Sequence, residues 1–217
     1  LLRETYLLKS PGYKSNISFG RLFDHSVMAL SLLKYLIKKK DKPKLVFIGF
    51  PPIETSFIMV IYCIWNKIPY ILDIKDLWPF IFFDYLPSFR KKTFSFFLAP
   101  YIYMANICSY NSKFITGPSK GYINSIKKLY KIKKSTRTFL FPLSSERKSI
   151  IKDKDINYIK KYIINKNAPV ISFAGSFMRS AYDFKTIKKA LEKLEKDKIS
   201  YNFILAGEGE LKEELTD

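Results

Sequence analysis

The sequence predicts a mixed α/β protein built as a doubly wound parallel sheet, and three observations predict it. Short apolar runs rich in β-branched and aromatic residues recur along the chain, each followed by a stretch with helical spacing of its apolar positions. The runs are almost wholly apolar rather than alternating, as parallel strands buried on both faces are. Proline and glycine fall where the runs end. At 217 residues and 47% hydrophobic content the chain has enough apolar surface for a sizeable core, which excludes a disordered tail.

The elements follow in order. Residues 21–40 carry Leu22, Val27, Leu30, Leu33, Tyr35 and Leu36 at helical spacing, and the closing lysines suit the negative end of a helix dipole. Residues 45–50 read as a first strand, and Pro51-Pro52 opens a helix to Trp65. The pattern repeats with a strand over 70–74 and a loop containing Asp76, Leu77, Trp78 and Pro79. Residues 80–111 are expected to hold one or two helices broken near Pro87 and Pro100. A third strand spans 114–117, a helix 119–130 and a fourth strand 138–141. Apolar density then falls across 143–166, read as a linker with one helix over 156–164. Alternation restarts with a strand at 170–174, a helix over 183–198 with Phe184, Ile187, Leu191 and Leu194 inward, and a strand at 201–206. Gly207-Glu208-Gly209 precedes a new helix. The organisation expected is a first unit at 1–142, the linker at 143–166 and the beginning of a second unit at 167–217.

Charge is strongly biased: 38 Lys and Arg against 19 Asp and Glu give +19. A lysine-rich composition accounts for part of this, yet residues 1–141 hold 23 bases against 7 acids, and no acid lies between Asp84 and Glu146. That interval interleaves 11 bases with Phe94, Phe96, Phe97, Tyr101 and Tyr103, as a surface for anionic partners would. Cys63 and Cys108 are far apart with no CxxC spacing, which argues against a zinc site or a disulfide scaffold and fits a reducing compartment. The lone histidine, His25, lies in a helical stretch and reads as a packed or solvated side chain, so a histidine-based triad is excluded. The apolar stretch 45–65 is interrupted by Pro51, Pro52 and Glu54, against a spanning helix. The start at Leu1, Leu2, Arg3 and Glu4 shows no signal peptide and reads as a chain beginning inside a longer protein.

In open α/β sheets ligands sit beyond the carboxyl ends of the strands, which singles out certain residues here. Asp73 and Asp76 bracket Lys75 at one strand end, and Glu54 begins the helix after another. Gly175, Ser176 and Arg179 follow the first strand of the second unit, where backbone amides and an arginine suit a phosphate. Gly207 and Gly209 also fit a simple strand-to-helix turn, Glu54 a favourable charge in a first helical turn and Asp76 a turn residue. Asp153-Lys154-Asp155 has the DxD spelling of metal-dependent sugar transferases, but it follows charged residues rather than a strand and reads as solvated linker.

Taken together, Pro51-Pro52-Ile53-Glu54, the segment Ile68 to Pro79 with its Asp-Ile-Lys-Asp-Leu-Trp-Pro ending, Ile-Thr-Gly-Pro-Ser at 115–119, Phe-Pro-Leu at 141–143, Phe-Ala-Gly-Ser at 173–176 with Tyr182-Asp183-Phe184, and Ile-Leu-Ala-Gly-Glu-Gly-Glu at 204–210 resemble glycosyltransferase family four. The resemblance implies a GT-B architecture of two Rossmann-like domains, acceptor held mainly by the first and nucleotide-sugar donor by the second. It implies metal-independent transfer with retention, without a cofactor, in surface-polysaccharide synthesis. Under it Lys75 faces donor sugar or phosphate, Asp76 orients a sugar hydroxyl, and Glu54 and Asp73 lie on the acceptor side. Arg179 meets the diphosphate with Gly175 and Ser176, and Gly207, Glu208 and Gly209 border the nucleotide. The partners implied are a nucleotide-sugar and a glycan or polyprenyl-linked acceptor, with attachment to an anionic membrane surface from the cytoplasmic side and no nucleic acid. The family's N-terminal glycine-rich loop and its pair of glutamates eight positions apart are absent, so the reading expects a fragment of poor activity. Alternatives from other classes are a non-catalytic basic protein binding membrane or nucleic acid, and a sugar-nucleotide epimerase.

Overall fold

The computed structural model describes residues 5–13, 18–81, 83, 88–144, 153–178 and 182–216. The chain forms two compact units, Leu1–Ser145 and Glu146–Asp217, and the division falls inside the segment read as a linker. Each is mixed α/β with a parallel sheet.

In the first unit, Ser18 caps α1 (Phe19–Lys38) by accepting the Arg21 N–H at 3.2 Å, so the helix starts two residues before the expected boundary. The face it buries is only partly the expected one, with Leu36 buried and Leu22, Val27 and Tyr35 half-buried. Asp24, His25, Ala29, Leu32 and Leu36 are buried, whereas Leu30 and Leu33 are exposed. Leu32 and Leu36, not Leu30 and Leu33, share the inward stripe with the histidine. Strand β1 (Val46–Phe50), α2 (Ile53–Trp65), β2 (Tyr70–Ile74), α3 (Ser88–Tyr110), β3 (Phe114–Gly117), α4 (Lys120–Leu129) and β4 (Arg137–Leu140) complete the unit. All four strands are parallel, in the order β1-β2-β3-β4.

Helix α3 runs through Pro100 without the expected break. The carbonyl that loses its N–H partner is that of Phe96, a solvent-exposed residue, so water can satisfy it. Beyond the proline, Ala105 and Cys108 are anchored in the core. That core joins Ile48, Phe50, Leu72, Ile74 and Ile115 of the sheet to Val60 and Cys63 of α2, Ala105 and Cys108 of α3, and Ile126 of α4. Each such large side chain contributes about 1.5–3 kcal/mol by leaving water. Tyr70 closes the core by donating to the Cys108 carbonyl at 2.8 Å.

Helices α2, α3 and α4 join this core on one face of the sheet, as right-handed crossovers between successive neighbouring strands require, and α1 packs on α2. On the other face, Phe47 is 53% exposed and Phe139 49%, with Phe141 just beyond β4 at 51%. The edge strands β1 and β4 are therefore not buried on both faces as their apolar sequences predict, whereas the central strands β2 and β3 are buried or half-buried at every position.

The second unit contains α5 (Asp153–Lys160), β5 (Val170–Ala174), α6 (Phe184–Lys196), β6 (Asn202–Ala206) and α7 (Lys212–Thr216), with β5 and β6 paired in parallel. Helix α5 begins and ends earlier than the expected helix at 156–164, and the DxD residues open it. Asp183 caps α6 with bonds to the Thr186 N–H at 3.2 Å and hydroxyl at 2.7 Å, which holds its carboxyl below the ordinary range. The core is small: Phe177, Phe184 and Leu211, with Phe173, Ile187, Leu205 and Leu215 against them. Leu191 and Leu194 reach only half-burial. Asn202 works as a bracket, its side chain accepting the N–H groups of Ile164 and Asn165 at 3.0 Å and donating to the Asn165 carbonyl at 2.8 Å. Among the described residues of the chain, no helix is long and apolar enough to cross a membrane.

Candidate functional site

The register of the first sheet places Gly49, Asp73, Thr116 and Phe139 side by side across the four strands. Asp73 is buried there, and its Oδ1 accepts the Thr116 hydroxyl at 2.5 Å. Its Oδ2 lies 3.2 Å from the Lys75 ammonium. That ammonium also donates to the Phe141 carbonyl at 2.8 Å and sits 4.6 Å from the centroid of the Phe141 ring. Lys75 thus ties the end of β2 to the segment after β4, and two of its three N–H donors are used within the protein.

Asp76 lies in the next stretch of the same loop, half-buried, with no hydrogen-bond partner among the described residues. It faces Tyr130, whose hydroxyl donates to the Trp78 carbonyl at 2.7 Å. Burial raises the Tyr130 hydroxyl far above its ordinary pKa, and the nearby Asp76 charge adds to the effect. The phenol stays a proton donor, and the Asp76 carboxylate is left as an acceptor for something else.

Glu54, in the first turn of α2, is the centre of a second cluster. Its Oε2 lies 3.2 Å from His25 Nδ1, and its Oε1 accepts the Tyr101 hydroxyl at 3.1 Å. An ionised carboxylate can only accept, so His25 must donate from Nδ1, which leaves Nε2 as the basic nitrogen of the neutral ring. Burial first, then the Glu54 charge, pushes the Tyr101 hydroxyl up to about 12. Beside this cluster, Asp24 accepts the Ser10 hydroxyl at 2.7 Å and the Gly12 N–H at 2.8 Å, which hold its carboxyl below the usual range. His25 is thus packed, as its helical setting predicts, and it is also paired with a carboxylate in the first turn of α2. The signal available in the sequence was its position on one stripe with Ala29, Leu32 and Leu36.

In the second unit the loops after β5 and β6 are laced together. The Gly175 N–H donates to Ala206 at 2.9 Å, the Phe177 N–H to Glu208 at 2.9 Å, and the Leu211 N–H to Phe177 at 3.0 Å. A Cβ on Gly207 would overlap the Gly175 carbonyl. Gly209 has φ +154°, and a Cβ there would lie 2.6–2.8 Å from the Phe177 backbone. Both glycines are thus required by close backbone approach. The lacing leaves the N–H groups of Ser176, Gly207, Glu208 and Gly209 without protein acceptors among the described residues. Such a row of amides can receive an anion. The Glu208 side chain is exposed and pairs with Lys212 at 2.6 Å. Arg179 lies outside the described residues.

Asp73 and Lys75 are thus brought into contact, Glu54 is joined instead to His25 and Tyr101, and the four second-unit residues Ser176, Gly207, Glu208 and Gly209 form one loop cluster with Gly175. Tyr101, Thr116 and His25 are the partners that sequence reasoning missed. Among the described residues, no group of three or more His, Cys, Asp or Glu side chains is placed to hold a metal ion. Against known proteins, the chain matches no family model, and no curated protein matches it.

Proposed function

We propose that the chain is part of a retaining, metal-independent glycosyltransferase of GT-B architecture. It would move a sugar from a nucleotide-sugar to a glycan or lipid-linked acceptor at an anionic membrane surface. One observation carries the reading: the two segments most specific to the resemblance, Asp73 to Pro79 and Gly207 to Gly209, both lie at the carboxyl ends of parallel strands, one in each unit, the first beginning in the last two residues of β2. These are the loops at which such sheets bind ligands.

In this reading the acceptor side belongs to Glu54 and Asp73, and Lys75 and Asp76 are the catalytic positions. The open carboxylate of Asp76 orients a sugar hydroxyl, and Lys75, fixed by Asp73 and the Phe141 carbonyl, presents its remaining donor to a developing negative charge. Preorganisation of this kind costs no rearrangement when the charge appears. On the donor side the unpaired amides of Ser176, Gly207, Glu208 and Gly209, beside Gly175, cradle the diphosphate, with Arg179 supplying the cation. Amides and cations stabilise the departing diphosphate without a metal ion.

The test is a thermal-unfolding screen against UDP- and GDP-sugars, followed by release of nucleotide from any that protects. A ligand at a hundred times its Kd stabilises by about 2.7 kcal/mol, well within the range of the assay. Protection that Asp76→Asn leaves intact and Gly209→Val removes supports the division of labour. Failure of every nucleotide-sugar to protect, with salt-sensitive DNA binding instead, would refute it in favour of a non-catalytic basic protein.

A further inference from the structure

The cations of the first unit gather at the end of its sheet opposite the residues discussed so far. The segments leading into the four strands, 38–45, 66–69, 111–113 and 127–137, carry 13 bases and one acid, Asp41. Because the strands are parallel and lie in the order β1-β2-β3-β4, these segments form one row, about 14 Å from the first strand to the last. At the β3–β4 end of the row lies a groove of about 890 Å³. Lys127, Lys131, Lys133, Lys134 and Arg137 line it, and its lining contains no acidic side chain.

The groove is a built feature. The Lys131 backbone is held to α3 from both sides, its N–H donating to Asn106 Oδ1 at 2.9 Å and its carbonyl accepting the buried Ser109 hydroxyl at 2.8 Å. Thr136 fixes the far end of the loop by donating to the Ser112 carbonyl at 3.2 Å. The Lys133 ammonium rests 4.7 Å from the centroid of the Tyr110 ring. Among the described residues, none of the five cations has a carboxylate within ion-pair distance. Five like charges held on one scaffold repel one another, and an anion among them relieves that repulsion. The groove far exceeds a single phosphate, so its charge and size fit an anion with several phosphoryl groups.

From this we propose that the amino-end groove is a binding site for a multiply charged phosphate group, separate from the strand-end loops and independent of the transferase reading. The same chemistry is offered by a soluble polyphosphate and by phospholipid headgroups, and the experiment separates them. Tripolyphosphate binding to the chain is measured by calorimetry at about 150 mM salt, where long-range attraction is screened. Co-sedimentation is measured with phosphatidylcholine vesicles with and without phosphatidylglycerol. The triple variant Lys131→Gln, Lys133→Gln, Arg137→Gln alters only exposed side chains and spares the backbone clamp. An equal charge change is made on α6 with Lys188→Gln, Lys189→Gln, Lys193→Gln.

The groove variant is expected to lose at least about tenfold in tripolyphosphate affinity and the α6 variant less than about twofold. Tripolyphosphate displacing the chain from anionic vesicles identifies the headgroup as a second source of the same ligand. Vesicle binding that tripolyphosphate does not displace, with tripolyphosphate still bound in the groove, identifies soluble phosphate as the source. Equal sedimentation with and without phosphatidylglycerol excludes the headgroup as a source and leaves soluble phosphate; equal losses in the two variants or absence of tripolyphosphate binding would overturn the proposal.

Discussion

Replacing Asp73 with alanine tests whether the carboxylate at the end of β2 holds the first unit together. Asp73 is buried, Thr116 beside it is buried too, and their 2.5 Å bond has an ionised acceptor. A hydrogen bond to a charged group contributes about 1.5–3 kcal/mol, and the pairing with the partly exposed Lys75 at 3.2 Å adds at most about 1 kcal/mol. Asp73→Ala is therefore expected to destabilise the first unit by about 2–4 kcal/mol. At roughly 2–4 °C per kcal/mol for a chain of this size, Tm falls by about 4–16 °C. Thr116→Val removes the same bond from the other side. Urea unfolding of the wild type, both single variants and the double variant gives the coupling between the two side chains. The expected value is about 1.5–2.5 kcal/mol. A coupling below about 0.5 kcal/mol would refute the reasoning, because the carboxylate would then be held by neither partner strongly enough to explain its burial, and a ligand-facing role would be the better account.

Other expectations concern sites elsewhere. Gly207→Ala and Gly209→Ala force a Cβ against the Gly175 carbonyl and the Phe177 backbone respectively, each costing about 1–3 kcal/mol; hydrogen exchange should show faster opening in the second unit and an unchanged first unit. Asp24 titrates lower in the folded chain than in the unfolded one, so its stabilisation is complete well above about pH 3.9 and is lost as pH falls through that value toward the lower folded one. Urea midpoints from pH 6 to pH 3 should fall less steeply for Asp24→Asn than for the wild type. The Cys63 and Cys108 thiols are fully buried and pushed up to about 11 and about 12 by burial, so a disulfide reagent at neutral pH should find neither in the folded chain and both in urea.

Much of the fold was legible because parallel strands advertise themselves. The runs at β1, β2, β3, β5 and β6 were placed to within a residue or so, since each is a short apolar run bounded by proline, glycine or polar residues. The helix starts at Ser119 and Asp183 were read to within a residue, whereas α1 was read two residues late because its cap, Ser18, precedes the periodic stretch. The run through Pro100 was hidden because the cost of a proline depends on whether the freed carbonyl meets water, and exposure at Phe96 is a tertiary fact. Of the candidate site, Glu54, Asp73, Lys75 and Asp76 could be named from their positions after strands. Their partners could not. Glu54 finds His25 and Tyr101 at separations of 29 and 47 residues, and Asp73 finds Thr116 across 43. Nothing local marks such pairs; they exist because α1 and α3 both pack against α2 and because β2 and β3 are neighbours.

The bare side of the first sheet has a practical corollary for anyone handling the chain. Fluorescent dyes that light up on apolar surface are commonly read as reporters of partial unfolding. Here Phe47, Phe139 and Phe141 stand about half exposed in the fully folded arrangement, with Phe47 and Phe141 stacked edge to face at 5.7 Å. The properly folded chain should itself brighten such a dye, and a stability screen calibrated on dye signal alone would discard well-folded material. Near-ultraviolet circular dichroism, which reports the fixed packing of aromatic rings, is the sounder criterion of quality for this molecule.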